Sequence, residues 1–484
     1  MAYPHIDHPI FKSKPFLTVI SLAKKEKKDI YLVGGFLRDA IIGYQKEPLD
    51  LDFTLSRGAI DFGRRLAREL KAGFVVLDKE HGCSRVVVKT KGNILTFDFV
   101  DFRGKDLKED LSKRDFTVNT LAWRLPMVKD VLTDLYGAQR DIAKRVVRVV
   151  SGASFDDDPL RILRAFSVGA IFDFEISPHT LALIKKKKES LKSVAGERLR
   201  DELFKIFNSE RAWRHIKLLD KYGVLEVVIP QVAVMHNVKQ GGYHHLDVWG
   251  HSLETLKKLD ELLLSLKDNL DLSFYLNEQM SSGRKRLQLI KLAAILHDIG
   301  KPEAFEVKAG KTMFHGHERI GRIISDSVSE RLKLSSREKF ALDTIIFWHL
   351  RPGYLADTSV LTKRAVHRYF RDTKSEAASV LLLSIADQRA TRGPLANAAS
   401  RRKHEKVSFS LLRQYFDMLK EEPFKRLIGG MDLIKKLRLK PGPLFSKILD
   451  AVEEAQVEGK VKTKTEALIL AKETSEKLQS KGGQ

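Results

Sequence analysis

The sequence predicts an α/β domain near the N-terminus followed by a body built of helices. Two observations support this prediction. From about residue 30 to 150, short β-rich runs alternate with helical patterns, which is typical of a sheet covered by helices. From about residue 155 the strand patterns stop, and the segments that follow show helical spacing.

The β-rich runs consist of β-branched and aromatic residues, which favour strands. In chain order they are "IYLVGG", "LDLDFTL", "GFVVLD", "SRVVVKT", "ILTFDFVDF" and "VVRVV". The run "AIDFGRRLARELK" between the second and third has the apolar spacing of an amphipathic helix. Helical spacing then continues through "PLRILRAFSVGAIF", "SPHTLALIKKKKESL" and "GERLRDELFKIFNS".

A chain of 484 residues is too long for one compact domain. Turn-forming residues and composition shifts mark breaks near "PQVAVMHNVKQGGYHH" and "TRGPLANAASRRKHEK". We therefore predict a head over residues 1–150, a helical neck over 151–235, a third domain over 236–395 and a helical tail over 396–484. The last stretch, of about ten residues, is polar and is predicted to be disordered.

Charge and cysteine content restrict the classes of function. Lys and Arg exceed Asp and Glu by 86 − 63 = 23, which favours a polyanionic partner such as nucleic acid. The first residues lack the order of a signal peptide and no run approaches about 18 apolar residues, so we expect a cytoplasmic protein without a membrane partner. Cys83 is the only cysteine, which excludes an internal disulfide and a cysteine-based zinc site.

The stretch "YLVGGFLRDAIIGYQKEPLDLDFTL" combines a strand, a Gly-Gly turn and two aspartates. Asp50 and Asp52 point the same way because strand side chains alternate between faces. Adjacent carboxylates repel unless a cation lies between them, and hard oxygen ligands suit Mg²⁺. Gly34 and Gly35 allow a triphosphate to approach a helix N-terminus, where Arg38 can reach a phosphate. Together these features predict a nucleotide site with two magnesium ions, which can activate a hydroxyl and stabilise a leaving pyrophosphate.

Several motifs in order resemble the class II tRNA nucleotidyltransferase and poly(A) polymerase family, within the DNA polymerase β-like superfamily. They are "LVGGFLRDAIIG" with "DLD", "KRDFTVNTLAW", "LTDLYGAQRDI", "DDPLRILRAF" and "GERLRDELFKIF". The resemblance spans about residues 30 to 235 and implies a polymerase β-like head. It implies Asp50 and Asp52 as metal ligands and a nucleotide-binding set that consists of Gly34, Gly35, Arg38, Arg114, Asp115, Asn119, Asp158, Arg161 and Arg164.

The fourth motif is the base-selecting helix of the family. Asp158 and Arg161 stand three apart on this predicted helix and so share a face. A carboxylate can accept from the exocyclic amine of C or A, and a guanidinium can donate to the ring, whereas U and G would leave mispaired groups. The sequence departs from the family at Ser167, where most members have an arginine, and Arg164 or a nearby lysine is expected to take over its phosphate contact.

A third carboxylate would complete the catalytic set of the head. The strand "LTFDFVDF" offers Asp98 and Asp101, which face opposite sides of the strand, so only one can serve. Asp98 is preferred because "FDFVDFR" aligns best with the corresponding family strand.

A second group of residues resembles the HD metal-dependent phosphohydrolase superfamily over about residues 240 to 395. His251, the adjacent pair His297 and Asp298, and Asp387 lie on successive predicted helices. The resemblance implies that these four bind a divalent metal such as Mn²⁺, Ni²⁺, Co²⁺ or Mg²⁺, with an open position for a water. His317 and His349 fit either a second metal or a phosphate. HD folds also occur as inactive modules, so activity at this site stays open.

The sequence as a whole predicts a template-independent tRNA nucleotidyltransferase that uses CTP and ATP. It would add C, A or both to the tRNA 3′ end, with full and partial CCA addition left open. The basic strip Lys185, Lys186, Lys187 and Lys188 is a candidate contact with tRNA phosphates, and the tail resembles one that holds the acceptor–TΨC arm. The alternatives are a bacterial poly(A) polymerase, an HD phosphohydrolase whose head only binds nucleotide, and an RNA-binding scaffold.

Overall fold

The structure of the protein is a computed structural model that describes residues 8–44, 49–89, 94–125, 132–242, 244–394, 397–421 and 424–481. The chain forms two compact units. The first comprises Met1–Ser209 with His215–Val228, and the second comprises Glu210–Arg214 with Ile229–Gln484. The predicted head and most of the predicted neck therefore fall in the first unit. Residues 210–214 and 229–235 of the predicted neck fall in the second unit with the predicted third domain and tail, and the four-part division remains a prediction.

The first unit contains a six-stranded mixed sheet. Its strands are β1 (Ile30–Val33), β2 (Leu49–Leu55), β3 (Gly73–Asp78), β4 (Cys83–Lys89), β5 (Ile94–Asp101) and β6 (Ala122–Leu125). They lie in the order β3-β4-β5-β2-β1-β6. Strands β2 and β5 are parallel and every other neighbouring pair is antiparallel. The mixed sheet confirms the predicted fold class of the head.

Helices cover this sheet and continue into the neck. They are α1 (Lys14–Lys25), α2 (Gly35–Ile42), α3 (Ala59–Leu70), α4 (Leu107–Ser112), α5 (Ala138–Ala143), α6 (Ser154–Asp157), α7 (Leu160–Phe172), α8 (Pro178–Lys187), α9 (Gly196–Phe207), α10 (Ala212–Lys221) and α11 (Val224–Val228). Short 3₁₀ helices lie at Pro9–Lys12, Thr117–Asn119 and Lys188–Ser193. A two-stranded parallel pair, β7 (Val146–Val147) and β8 (Glu175–Ile176), completes the unit.

The alternating pattern of β2 separates the core from the functional face. Phe53 is buried on one face, where its ring stacks on Phe99 of β5 at a centroid distance of 5.0 Å. Phe62 of α3 packs against the same Phe99 ring, so α3 covers this face of the sheet. Asp101 fixes the start of α3, because its Oδ1 accepts from the backbone N–H of Ala59 at 2.8 Å.

The second unit is mostly helical. Its helices are α12 (Val248–Ser265), α13 (Leu270–Asn277), α14 (Arg286–Leu296), α15 (His317–Arg331), α16 (Ser336–Trp348), α17 (Arg351–Asp357), α18 (Lys363–Thr373), α19 (Ala377–Ala390), α20 (Ala398–Lys420), α21 (Gly430–Leu437), α22 (Leu444–Val457) and α23 (Lys464–Lys481). Two 3₁₀ helices lie at Pro230–Met235 and Lys374–Glu376. Two small antiparallel hairpins pair β9 (Gln279–Ser281) with β10 (Arg284–Lys285) and β11 (Glu306–Lys308) with β12 (Lys311–Met313).

Three details differ from the prediction. Strands do not stop at residue 155, since β8 and the two hairpins follow, but each has only two or three residues and gives no period-2 signal. Strand β6 begins at the last two residues of the second motif and was not recognised as a strand. Helix α23 continues to Lys481, so the predicted disordered end is helical up to that residue, and residues 482–484 lie outside the described part of the chain.

The last helices have a core of their own, which includes Leu433, Ile448 and Val452. Helix α22 is also held to α18, because Arg364 donates to the buried Glu454 carboxylate at 2.7 Å and Arg368 donates to it as well. Among the described residues, no helix combines the length and the apolar content needed to cross a bilayer.

Candidate active site and metal centre

A cleft of about 520 Å³ opens on the first unit, on the face of β2 that carries its aspartates. Ten of the residues predicted for the nucleotide and metal sites line it: Gly34, Gly35, Arg38, Asp50, Asp52, Arg114, Asp115, Asn119, Arg161 and Arg164. Residues from four separate segments of sequence therefore meet in one cavity. Among the described residues, the predicted Asp98 and Asp158 do not line it.

Asp50 and Asp52 lie on the central strand β2 and both side chains line the cleft. They are partly exposed, whereas Leu51 between them is fully buried. The hydroxyl of Thr96 on the parallel strand β5 donates to Oδ1 of Asp50, which fixes the orientation of that carboxylate. The period-2 argument from the sequence thus describes the local geometry correctly.

Gly34 is the turn between β1 and α2 and lies against Asp52. Its φ of 85° is in the region that favours glycine, and a Cβ atom built there would lie 2.8 Å from Oδ2 of Asp52 and 3.3 Å from Nη1 of Arg114. The glycine therefore allows the backbone at the start of α2 to approach both a carboxylate and a guanidinium.

Arg38 is buried and holds a fixed position on the cleft wall. Its Nε and Nη2 donate to Oδ1 of Asp39 at 2.9 and 2.7 Å, and Nη1 donates to Oδ1 of Asn119 at 2.6 Å. Asn119 in turn donates to Asp115 at 2.9 Å. The guanidinium also lies 4.1 Å from the centre of the Phe172 ring. The first and second motifs are therefore joined by a hydrogen-bonded chain.

Buried charges of both signs line this wall. Burial acts to raise the pKa of Asp115, but the Arg164 guanidinium, the Asn119 amide and the Phe116 backbone N–H outweigh it, so the pKa lies below its usual value. Burial lowers the pKa of Arg114 and of Arg161, with nearby carboxylates opposing the shift. A cleft that keeps partly desolvated arginines beside carboxylates is suited to a polyanionic ligand that arrives with a cation.

The placement of Asp158 was predicted wrongly. It does not lie on the helix with Arg161, because Pro159 disfavours helical geometry in the residue before it and Asp158 is extended, with φ −150° and ψ 100°. Its carboxylate accepts from Arg198 of α9 at 2.9 Å. Arg161 instead donates to Oγ of Ser154 at 2.9 Å. In this structure Asp158 and Arg161 therefore do not present their side chains together for hydrogen bonds to one base.

Asp98 is a neighbour of Asp52 but has another partner. The two residues are opposite each other in the parallel register of β2 and β5. Both oxygens of Asp98 accept from Arg85 of β4 at 2.7 Å, a bidentate pair that raises the pKa of Arg85. The carboxylate is thus engaged by an arginine rather than turned into the cleft.

Sequence analysis missed two cleft residues on α9. Glu202 is buried and accepts from Lys205 at 2.8 Å and from the hydroxyl of Ser167, while Arg164 donates to it at 3.4 Å. Ser167 is the position at which a departure from the family is expected from the sequence, and its hydroxyl is one of the donors to this carboxylate. The helical spacing of Glu202 and Lys205 within the "ERLRDELFK" motif was the signal that could have found them.

The basic strip divides into two pairs. Lys185 and Lys186 are exposed at the end of α8. Lys187 instead donates to the carbonyl of Gly152 at 3.0 Å and to the carboxylate of Asp156. Lys188 is half-buried beside Glu189. Only the first two lysines therefore extend into solvent as a phosphate-binding strip requires.

The second unit brings together all the predicted HD residues. His251, His297 and Asp387 form one group of converging ligand atoms, and Asp298, His317 and His349 form another. His251 Nε2 hydrogen-bonds to Oδ1 of Asp387 at 2.9 Å. These side chains come from α12, the end of α14, the start of α15, the end of α16, and α19.

Burial controls the protonation of this group. It lowers the pKa of His349 to about 3, and the neighbouring His297 and His317 add to that shift. Burial opposes ionisation of Asp298, but His297 and Lys301 outweigh it and hold its pKa well below the usual range. Lys301 lies 2.7 Å from Oδ2 of Asp298. The group thus offers a neutral imidazole and an ionised carboxylate, the forms that bind metals.

The donor set fits a divalent transition metal. His297 Nε2 is buried and makes no hydrogen bond among the residues that the structure describes, while Nδ1 of the same ring donates to the carbonyl of Ala294 at 3.0 Å. A histidine fixed through Nδ1 with its Nε2 directed into a cluster is prepared as a ligand. In the head, the carboxylate oxygens of Asp50 and Asp52 fit a harder ion such as Mg²⁺.

A mixed sheet with two aspartates beside a glycine turn, above a cleft rich in cations, defines the nucleotidyltransferase class of the polymerase β-like type. Family models match four successive parts of the chain. Residues 30–148 match the Poly A polymerase head domain and residues 173–235 the "Probable RNA and SrmB-binding site of polymerase A". Residues 248–392 match the HD domain and residues 395–471 the tRNA nucleotidyltransferase domain 2.

The chain belongs to the bacterial tRNA nucleotidyltransferase family. It is 31% identical over 455 residues to an A-adding tRNA nucleotidyltransferase of Deinococcus radiodurans, which covers 92% of this chain and 95% of the relative. It is 29% identical to a CC-adding tRNA nucleotidyltransferase of Thermus thermophilus, over 91% of this chain and 92% of the relative. Membership of this family implies an enzyme that uses a divalent metal ion.

The fold is shared with solved structures. The Thermotoga maritima CCA-adding enzyme complexed with tRNA superposes with a TM-score of 0.62 at 22% identity, over 98% of this chain and 96% of that chain. At this identity the similarity establishes the fold alone.

Proposed function

We propose that this protein is a template-independent tRNA nucleotidyltransferase that adds C, A or both to the 3′ end of tRNA, using CTP and ATP. The proposal rests on the observation that the side chains of Asp50 and Asp52 extend from one strand into a cleft lined by arginines. The named activities of the two curated relatives support it. A cytoplasmic location is part of the same proposal.

Different residues of the cleft bind the metal ion and the triphosphate during nucleotidyl transfer. Asp50 and Asp52 hold the divalent ion, Mg²⁺ in this proposal, which when bound neutralises phosphate charge and acidifies a hydroxyl. The arginines on the wall bind and orient the triphosphate, so that the α-phosphate faces the tRNA 3′ hydroxyl. Gly34 and Gly35 let the phosphates approach the backbone at the start of α2.

Base selection requires a change at Asp158. In the structure its carboxylate is paired with Arg198, so pairing with an exocyclic amine requires that this ion pair opens. Arg161 already lines the cleft and can donate to a base ring nitrogen. Selection of C and A over U and G by these two residues remains part of the proposal, and so does a metal-binding role for Asp98.

A direct assay tests the activity. Three tRNA transcripts, lacking CCA or ending in C or in CC, are incubated with CTP, ATP or both, and the products are sized to single nucleotides. Addition of C, A or CCA supports the proposal and assigns the specificity. Long A tails on any RNA would support the poly(A) polymerase alternative. An absence of incorporation would support an HD phosphohydrolase or an RNA-binding scaffold.

A second function is favoured by the convergence of six ligands in the HD region. We infer that this region is a metal-dependent phosphohydrolase that binds Mn²⁺, Ni²⁺ or Co²⁺ in preference to Mg²⁺, because four of its ligands are imidazoles. Asp50→Ala and His297→Ala separate the two functions. The first variant should lose incorporation and keep phosphoester hydrolysis, and the second should do the reverse.

A further inference from the structure

The cleft of the first unit changes in chemistry along its length. One face of α7 lines it, and this face carries Arg161 and Arg164 in the first half of the helix. In the second half the same face carries Val168 and Phe172. Residues at these spacings lie on one side of a helix. The cleft therefore has a cationic end and an apolar end.

Arg38 lies where the two ends meet. On one side its Nη1 donates to Asn119, which donates in turn to Asp115, and Asp115 lies 3.6 Å from Nη1 of Arg164. On the other side the Arg38 guanidinium lies 4.1 Å from the centre of the Phe172 ring. The hydrogen-bonded charges thus belong to the cationic end, and aromatic contact begins at Phe172.

Tyr44 lies at the apolar end, directly after α2. Its ring meets the Phe172 ring edge to face, with centroids 5.2 Å apart and an interplanar angle of 78°. The main chain is fixed at this point, because the Tyr44 N–H donates to the carbonyl of Asp39 at 2.9 Å. Tyr44 is nevertheless 43% exposed. A held aromatic ring in the wall of the cleft is therefore accessible to a ligand.

Nucleotidyl transfer brings two substrates into this cleft, and their arrangement is restricted. The attacking hydroxyl and the leaving pyrophosphate lie roughly in line on opposite sides of the α-phosphorus. In the function proposed above the arginines bind the triphosphate, so the pyrophosphate leaves at the cationic end. The nucleoside that carries the attacking hydroxyl then approaches from the side away from the arginines, which leaves it the apolar end.

The chemistry of the apolar end suits the last nucleotide of an RNA strand. An unpaired base at a strand end binds by stacking on an aromatic side chain. The base of the incoming nucleotide has a different partner, because Arg161 at the cationic end can donate to a ring nitrogen. Tyr44 is thus left for the base of the other substrate.

We propose that Tyr44 and Phe172 form the subsite for the last base of the tRNA 3′ end, and that this base stacks on the Tyr44 ring. The proposal rests on the transferase function proposed above and names the residues that hold its second substrate. Stacking tolerates any base because every base has a π-face. One subsite can therefore accept each terminal nucleotide that the growing end presents.

Steady-state kinetics of the full chain test the role of the ring. Tyr44→Ala should raise the KM for tRNA about 10- to 100-fold, the effect of losing one stacked base, and leave the KM for CTP and ATP unchanged. The unchanged nucleotide KM shows that the head is folded. Tyr44→Phe keeps the ring and should keep both KM values. Tyr354→Ala, which removes an exposed tyrosine of the second unit, is the matched control and should also keep both.

A second experiment removes the base instead of the ring. A tRNA whose last nucleotide is abasic should show the raised KM with the unmodified protein. Tyr44→Ala should raise it no further, because the contact is already lost and the two changes then act on one interaction. A tyrosine that served only the packing of α2 would give effects that add.

The outcomes that overturn the proposal are distinguishable. A KM for tRNA that Tyr44→Ala leaves unchanged would remove the subsite. A KM raised for CTP and ATP alone would place the ring beside the incoming nucleotide instead. Additive effects of Tyr44→Ala and the abasic end would show that the ring does not contact the last base. An unmodified protein that incorporates no nucleotide into any tRNA would overturn the transferase function itself.

Discussion

Gly34 lies so close to Asp52 that a Cβ atom on residue 34 would come within 2.8 Å of the Asp52 carboxylate. The φ of Gly34, 85°, separately disfavours any other residue. We expect Gly34→Ala to displace Asp52 and to lower the rate of nucleotide incorporation about 100-fold. Single-turnover incorporation of labelled CTP and ATP into tRNA measures this effect.

Gly43 provides the control for that substitution. It ends the same helix with a φ of 75°, but a Cβ atom there would meet nothing within 4 Å. Gly43→Ala should therefore carry only the backbone cost, of about 1–2 kcal/mol, and keep its activity. Equal loss of activity in the two variants would show that backbone strain, rather than contact with Asp52, is responsible.

Lys205 should act in nucleotide binding although the sequence motifs did not indicate it. It lines the cleft, and Glu202 holds its ammonium beside Arg164. We expect Lys205→Ala to raise the KM for CTP or ATP about 10- to 100-fold, the cost of one charge-assisted hydrogen bond. Lys24→Ala, an exposed change on α1, should leave the KM unchanged. A KM that does not respond to Lys205→Ala would exclude a phosphate contact.

The side chains whose placement the sequence predicted are those fixed by local geometry. Asp50 and Asp52 share a face because strand side chains alternate, and no other part of the chain can change this. Arg38 likewise follows one turn after the glycine pair. His297 and Asp298 were found because an adjacent His-Asp pair is typical of HD domains. The other ligands, His251 and Asp387, followed from the resemblance to that superfamily.

The contacts that the sequence did not indicate depend on partners distant in sequence. Asp98 pairs with Arg85 on another strand, and Asp158 pairs with Arg198 on another helix. The contact between Glu202 and Ser167 depends on the packing of α9 against α7, which the sequence pattern does not specify. Strand and helix periodicity do not specify which charged side chain a carboxylate will meet.

Glu376 should be essential to the stability of the second unit. Arg286 is 1% exposed and donates to the equally buried Glu376, and its guanidinium lies 4.4 Å from the Tyr275 ring centre. Glu376→Ala removes the buried one of the two carboxylate partners of Arg286 and leaves Glu278, which accepts from Nη2, so we expect a loss of about 2–3 kcal/mol in the free energy of unfolding. Urea unfolding of the full chain measures it.

The exposed Glu306 is the control for that measurement, since Glu306→Ala should change the unfolding free energy by less than about 0.5 kcal/mol. A loss at Glu376 as small as at Glu306 would mean that the buried pair relaxes or takes up water when it is broken.

Asp141 should make the stability of the head depend on pH. Burial acts to raise its pKa, but the Thr117 hydroxyl, which donates at 2.7 Å, and the Arg148 guanidinium outweigh it, so the pKa lies below the usual value. The folded pKa is thus lower than the unfolded value of about 3.9. The resulting stabilisation is present above that value and is lost as pH falls through the folded pKa.

We therefore expect the stability difference between the parent and Asp141→Asn to be largest near about pH 6 and to shrink towards about pH 3. Hydrogen exchange of peptides from residues 117–125 in increasing urea follows this difference. Asp61→Asn, an exposed change, should give a difference that does not vary in this way. A constant difference for Asp141→Asn would show that the pKa of Asp141 is the same in the folded and unfolded states.

Lys185 and Lys186 should bind tRNA, whereas Lys187 should hold the neck together. The first two are exposed, while Lys187 donates to the carbonyl of Gly152. Each lysine that neutralises a phosphate adds about one unit to the slope of log affinity against log salt. The double change of Lys185 and Lys186 to Ala should therefore weaken tRNA binding and lower this slope by about 1–2, as measured by filter binding between low and high salt. Lys187→Ala should instead lower the unfolding free energy by about 1 kcal/mol and keep the slope. A slope that falls only with Lys187→Ala would reverse this assignment.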